Sequence, residues 1–250
     1  MSAQAAVALA VSTVIFTLRS DAESDFKTLW LPLVRRTRDP YLDQWALPGG
    51  GLPGEEELAA AAARTLRETT GLAPKYLEQL YTFGDPGRSA GGRVVSVVYW
   101  ALVESGEADL AVVGENVRWF PADRLPRLAF DHNRIVGYAL WRLRTKVEYS
   151  RIAHAFLGDT FTLSQLRDVH EAVLQKSLDP ANFRRTIEAS GSLVDTGERV
   201  AGTRHRPPRL YRYNDSGRQR EPDPLGPDPV GDGTGVAPAS AAATGSPGRN

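Results

Sequence analysis

The sequence predicts an α/β + α architecture, an α/β/α sandwich followed by a winged helix-turn-helix, from three observations. Apolar, β-branched runs at Val7 to Leu18, Thr28 to Arg36, Tyr76 to Phe83 and Val94 to Val103 surround one alanine-rich helical stretch ending at Gly71. After Glu148 the chain changes to short helices with strong start signals. A hairpin with a basic tip then follows the last helix. The expected parts are residues 1–147, of which 131–147 form a connecting helix, then residues 148–213, then a tail from 214 to 250.

Composition sets the bounds. At 250 residues the length suits one large domain or two ordinary ones. Formal net charge is zero, so nucleic-acid binding has to come from local clusters of charge. The absence of cysteine excludes disulfides and thiolate metal sites. The apolar run Ala5 to Phe16 has no preceding positive charge and is too short to span a membrane. It is expected to be a buried strand of a cytoplasmic protein with no membrane contact.

Taken in order, Val7 to Leu18 and Thr28 to Arg36 form a hairpin around the acidic turn Asp21 to Asp25. Arg35, Arg36 and Arg38 precede the turn signal Asp39-Pro40, and Trp45 to Leu47 is a short strand. The chain then enters LPGGGLPGEEELAAAAARTLRETTGL, residues 47 to 72. Gly49, Gly50 and Gly51 allow close backbone approach. Glu55, Glu56 and Glu57 are expected in the first helical turn, where negative charge is favoured. Ala59 to Ala63 propagate the helix, and Gly71 ends it as a left-handed cap. Val94 to Val103 reads as a strand buried on both faces.

Asp131 is expected to cap an amphipathic helix, His132 to Val147, with Ile135, Val136, Ala139, Leu140, Leu143 and Val147 on its apolar side. Tyr149 to Phe156 is expected to be a turn-rich helix. Thr162 with Gln165 forms a capping box that opens Leu163 to Leu174. Asp179-Pro180 opens the next helix, which carries Asn182, Arg184, Arg185 and Thr186 outward and Phe183 and Ile187 inward. Two helices joined by a short turn, followed by a hairpin bearing Arg199, Arg204, His205, Arg206, Arg209 and Arg212, have the grammar of a winged helix. The tail, rich in Gly, Pro, Ala, Ser and Asp, is expected to be disordered.

Residues 47 to 72 resemble the Nudix box, with Gly50, Glu56, Arg64, Leu66, Glu68, Gly71 and Leu72 in register. Thr65 and Thr69 stand where that family has its first and last helix carboxylates. Those carboxylates hold a divalent cation that organises a pyrophosphate for attack by water. Only Glu68 remains, and its simplest role is an ion pair with Arg64 one turn earlier. No catalytic or metal-ligating residues are therefore assigned, and magnesium is not expected.

The whole run from residue 5 to 213 resembles the Nudix-related transcriptional regulators of NAD metabolism in bacteria. Its signatures occur in order: WALPGG, YLEQLYTFG, RVVSVVYWALV, RTKVEYS, FTLSQL, NFRR and RPPRLYRY. The resemblance implies a homodimeric repressor of NAD biosynthesis or salvage genes. It implies double-stranded palindromic operator DNA as partner and ADP-ribose or a related nucleotide as effector, with no cofactor. On that basis Arg35, Trp45, Gly49, Gly50, Arg64, Glu68, Arg88 and Arg93 are the candidate ligand residues. Trp45 is as suited to the core as to a stacking platform. Thr162, Ser164, Asn182, Arg184, Arg185, Thr186, Arg204, His205 and Arg206 are the candidate DNA residues. Two alternatives compete. One is an active pyrophosphatase on ADP-ribose, with Glu56, Glu68 and a distant acid such as Asp85 or Glu115 holding metal. The other is a sensor whose winged helix binds protein.

Overall fold

The computed structural model describes residues 6–21, 24–74, 76–105, 115–149, 151–201 and 207–214. Strands β1 (Ala8–Asp21) and β2 (Ser24–Arg35) form the expected antiparallel hairpin. β1 also runs parallel to β6 (Val94–Leu102), which pairs antiparallel with β5 (Tyr76–Phe83) at the edge. The short strands β3 (Trp45–Ala46) and β7 (Val117–Pro121) pair with β2, and β4 (Gly49–Gly51) pairs with β1. The result is one mixed sheet in the order β3-β2-β1-β6-β5.

Period-two alternation along β1 serves two layers at once. Val11 and Ile15 face helix α1 (Leu58–Thr70), meeting Ala61, Ala62 and Leu66. Val14, Phe16 and Leu18 join the opposite core with Val98, Trp100 and Leu102 of β6. There they meet Ile135, Val136, Ala139, Leu143 and Val147 of helix α2 (His132–Tyr149). A sheet buried on both faces explains why β6 reads as a continuous apolar run. Each fully buried Leu or Phe here contributes roughly 1.5–3 kcal/mol.

Three local expectations need correction. Helix α1 begins at Leu58, so Glu55, Glu56 and Glu57 precede its first turn, and Glu57 makes no side-chain cap. The physical reason is Arg64, whose guanidinium draws the Glu56 carboxylate sideways into a fork of two 2.8 Å bonds. Asp131 precedes α2, but its carboxylate turns away from the helix amides to receive Arg88. Tyr149 is the last residue of α2, and only Arg151–Phe156 forms a separate 3₁₀ turn.

The C-terminal elements match their start signals. Thr162 and Gln165 exchange bonds of 3.2 and 2.8 Å at the start of α3 (Leu163–Leu174). Asp179 accepts from Asn182 N at 2.8 Å, with Pro180 in the first position of α4 (Pro180–Ala189). Strands β8 (Leu193–Arg199) and β9 (Arg209–Tyr213) form the hairpin, and a bridge from Phe161 to Tyr211 ties it to the start of α3. Its tip, with Arg204, His205 and Arg206, and the tail from 215 lie outside the described residues.

The core does not pause near residue 147. Ile152, Phe156, Phe161, Leu166, Val169, Val173 and Tyr211 belong to the same buried cluster as the sheet and α2. Residues up to Asn214 form one unit. Among the described residues no helix is long and apolar enough to cross a membrane.

Candidate functional site

A cavity of about 560 Å³ opens beside β4. The end of β2 and the following loop supply Arg35, Arg36 and Arg38; the loop before β6 supplies Arg88 and Ser89; the approach to α2 supplies Phe130 and His132. Gly49, Gly50 and Gly51 form one wall, with Ser12 and Ser96 behind them. Among the described residues no acidic side chain lines it.

Arg88 is the most constrained of these cations. Its side chain is only 3% exposed and forks onto Asp131 at 2.7 and 3.1 Å, while Nη1 donates to Ser96 Oγ at 2.7 Å. Arg35 pairs with Asp43 at the rim, and Arg36 lies over the Phe130 ring at 4.7 Å from its centroid. His132 is buried, and its Nδ1 accepts the Leu47 N–H at 2.9 Å. Burial pushes its pKa down to about 4, so at neutral pH the ring is uncharged and its proton sits on Nε2. Three non-glycine residues near this opening hold left-handed backbone: Tyr41 (φ 68), Asp43 (φ 64) and Phe130 (φ 56). Each such residue costs about 1–2 kcal/mol, and strain of this kind gathers at ligand clamps. Tyr41 and Phe130 meet edge to face at 4.8 Å.

A second cavity, about 200 Å³, lies on the α1 side of the same glycines. Arg64, Thr65, Glu68 and Thr69 line it. Thr69 Oγ1 donates to the Thr65 carbonyl at 2.7 Å, and Arg64 holds Glu68 at 3.1 Å. Among the described residues no group of three or more His, Cys, Asp or Glu side chains could hold a metal ion. Two hydroxyls and one carboxylate already paired with arginine do not fit a hard divalent cation.

Helix α4 has no buried residue, and Asn182, Arg184, Arg185 and Thr186 are all exposed on it. Arg184 pairs with Glu188 at 2.8 Å, and Arg185 bonds Asn182. A further cavity of about 340 Å³ gathers Thr162 and Ser164 at the start of α3, Arg184 of α4, and Arg199 and Arg209 of the hairpin. Five polar or cationic side chains from three elements therefore converge on one face.

The NUDIX domain family matches residues 9–138, and the NrtR DNA-binding winged helix domain family matches residues 153–213. The ADPR responsive transcriptional repressor NtrR of Acinetobacter baylyi is 33% identical over 191 residues, covering 74% of this chain and 76% of that protein. The chain belongs to the NrtR family. The crystal structure of Shewanella oneidensis NrtR shares its fold at a TM-score of 0.70 and 36% identity, covering 82% of this chain and 94% of that one. The same NrtR complexed with a 27mer DNA matches at 0.69, covering 82% and 93%. The N-terminal half is also 35% identical to the ADP-ribose pyrophosphatase of Methanocaldococcus jannaschii, over 48% of this chain and 70% of that enzyme.

Within this NrtR fold the candidate ligand residues divide. Arg35, Gly49, Gly50 and Arg88 line the large cavity; Arg64 and Glu68 line the smaller one, which also borders the glycines. Trp45 lines neither; it is half-buried and packs edge-on against Phe120 at 5.1 Å. Arg93 lines neither, and its Nη1 is buried without a partner. Sequence reasoning missed Arg36, Arg38, Phe130 and His132 as cavity residues. The Arg35-Arg36-x-Arg38 run and the Phe130-Asp131-His132 run at a helix start were the available signals. On the other face, Thr162 is mostly buried and spends its lone pair on its own helix cap, whereas Ser164 is exposed.

Proposed function

We propose that this chain is a transcriptional repressor that binds ADP-ribose in the arginine-lined cavity and operator DNA through residues 162–213. The observation that carries the reading is a large cavity with four arginines, no acid and an uncharged histidine, adjoining a helix that leads into the DNA-binding elements. A pyrophosphate needs cations, which Arg35, Arg36, Arg38 and Arg88 supply without metal. Ribose hydroxyls need neutral donors and acceptors, which Ser12, Ser96 and His132 supply. Phe130 lies beneath Arg36 and holds its guanidinium in the cavity wall by a cation–π contact. For DNA, α4 presents Asn182, Arg184, Arg185 and Thr186 to base edges, while Ser164, Arg199 and Arg209 meet phosphates.

Further parts of the proposal are a homodimer on a palindromic operator, control of NAD biosynthesis or salvage genes, and no hydrolysis. The division at residue 147 assigns ligand binding to 1–147 and DNA binding to 148–213. The test uses full-length protein. ADP-ribose binding is measured calorimetrically with EDTA present, and binding to a duplex that the protein selects from a random-sequence pool is followed by anisotropy. Binding of both, with ADP-ribose weakening the DNA complex, supports the reading. The pyrophosphatase relative favours an alternative, so magnesium-dependent ADP-ribose hydrolysis is assayed on the same preparation. Turnover without DNA binding replaces the repressor with an enzyme.

A further inference from the structure

Helix α2 has 18 residues and spans about 27 Å at 1.5 Å per residue. Its start is held in the wall of the arginine cavity, Asp131 by the Arg88 fork and His132 by the Leu47 amide. Its far end grips α3. Arg144 Nε donates to the Val173 carbonyl at 3.1 Å, and Nη2 donates to Gln175 Oε1 at 2.9 Å. Val173 lies in the last turn of α3, where a carbonyl has no partner within the helix. Gln175 caps that helix in left-handed conformation (φ 52). A cation here satisfies the free carbonyl and also meets the negative end of the helix dipole.

His170 adds a second tie. It lies in α3, and its Nδ1 is 2.8 Å from the Leu166 carbonyl of its own helix. On its other side the ring meets Phe183 of α4 edge to face at 5.2 Å. Arg144 therefore links α2 to α3 at the end of α2 remote from the cavity, and His170 links α3 to α4.

We infer that Arg144 is a positioning residue that couples the two sites, its fork onto Val173 and Gln175 making α2 and the helix pair move as one body. This rests on the proposed function, since it needs both ADP-ribose and DNA to bind. Neither Arg144 nor Gln175 lines the ligand cavity or the DNA face, so their loss leaves each site intact and disturbs only the connection. Packing alone holds α3 against α2 along an apolar seam that permits small slides; the directed bonds at the end of α3 fix its angle and height. A ligand that shifts the start of α2 then shifts α4.

The test compares Arg144→Gln and Gln175→Asn with the native full chain. Asparagine tolerates the left-handed backbone but is one methylene too short to reach Arg144. Three quantities are read: ADP-ribose affinity, affinity for the selected duplex, and the factor by which saturating ADP-ribose weakens the duplex complex. Such coupling factors are roughly 5–150-fold where two sites communicate. The expected result is that both affinities stay within about threefold of native, while the coupling factor falls to within about twofold of one in Arg144→Gln and falls only in part in Gln175→Asn, which keeps the bond to Val173. Arg144→Lys, which keeps the charge but reaches only one acceptor, should retain part of it. The double variant should lose no more than Arg144→Gln alone, because that change already removes the bond to Gln175. An unchanged coupling factor in both single variants overturns the inference. So does a loss of DNA affinity that tracks a fall in Tm, which marks a purely structural contact. If ADP-ribose has no effect on the native complex, the underlying reading fails and the inference with it.

Discussion

Gly49, Gly50 and Gly51 form a wall with two sides, and the two cavities that share it differ in one respect that matters most. On one side stand Arg35, Arg36, Arg38 and Arg88, of which Arg35 pairs with Asp43 and Arg88 with Asp131; on the other stand Thr65, Thr69 and a single carboxylate already held by Arg64. An enzyme of this fold would bring a metal to the second side to act on a pyrophosphate lying on the first. Here the cationic side is furnished and the metal side is bare. On the proposed function, guanidinium groups take over the charge neutralisation of an anionic ligand and hold its pyrophosphate without activating water.

The largest expected effect lies on the cationic side. Arg88→Met strips the Asp131 carboxylate, whose side chain is 15% exposed, of its bidentate partner. Breaking a buried pair from one side costs about 3–5 kcal/mol. The variant's urea midpoint should fall by the corresponding amount, and ADP-ribose affinity should fall with it. Stability within about 1 kcal/mol of native would show that water replaces the guanidinium, and that Arg88 is not structural.

Next comes the shared wall. A Cβ on Gly49 would sit 2.4 Å from the Val11 carbonyl and 2.8 Å from the Ser12 Cα, both backbone atoms that cannot swing aside. Gly49→Ala should therefore destabilise by about 1–3 kcal/mol, in the manner of overpacking, and distort both cavities together. Gly50→Ala meets nothing within 4 Å and is the control. Equal melting temperatures for the two variants would mean that β4 can lift off β1 without cost.

The third effect depends on pH. His132 has its pKa lowered to about 4 by burial, against an ordinary value of 6.5. Above pH 6.5 neither the folded nor the unfolded ring carries a proton, and stability is at its full value. As pH falls from 6.5 towards 4 the unfolded chain takes up a proton that the folded chain refuses, so stability drops by at most about 1.4 kcal/mol per pH unit. His132→Asn keeps an acceptor for the Leu47 amide and does not titrate. Its unfolding free energy should fall less than the native protein's between pH 7 and pH 5. Parallel pH profiles would place the native ring in water.

The architecture and the local start and stop signals were legible in the sequence, and the contacts that build the cavity were not. Gly71 as a left-handed cap, the Thr162–Gln165 box and the Asp179-Pro180 start are contacts between near neighbours in sequence, which residue type decides. The arginine cavity is a contact of distant segments. Arg36 meets Phe130, and Arg88 meets Asp131, only because β2, the loop before β6 and the approach to α2 converge. Trp45 shows the limit from the other side: an indole next to a glycine turn suits a platform or a core equally, and its contact with Phe120 comes from a strand pairing that residue type does not reveal. Glu55 to Glu57 misled because an ion pair eight residues on, from Arg64 to Glu56, outweighs the preference of acids for a first turn.

The smallest effect sharpens the comparison most. Glu68→Gln should leave Tm and ADP-ribose affinity unchanged, since Glu68 is 62% exposed and bound only to a side chain one turn away. The same change should be decisive after Thr65→Glu and Thr69→Glu are introduced together. Thr65, Glu68 and Thr69 share one helical face three and four residues apart and line one cavity, so three carboxylates there could converge on a hard cation. That double variant should lose stability in EDTA, where its acids repel, and regain it with magnesium, whereas the native chain should not respond. Adding Glu68→Gln should remove most of the magnesium response, because a carboxylate that is idle as an ion pair becomes a ligand when its neighbours do. A double variant indifferent to magnesium would mean that the glycine wall, and not the threonines, keeps metal out.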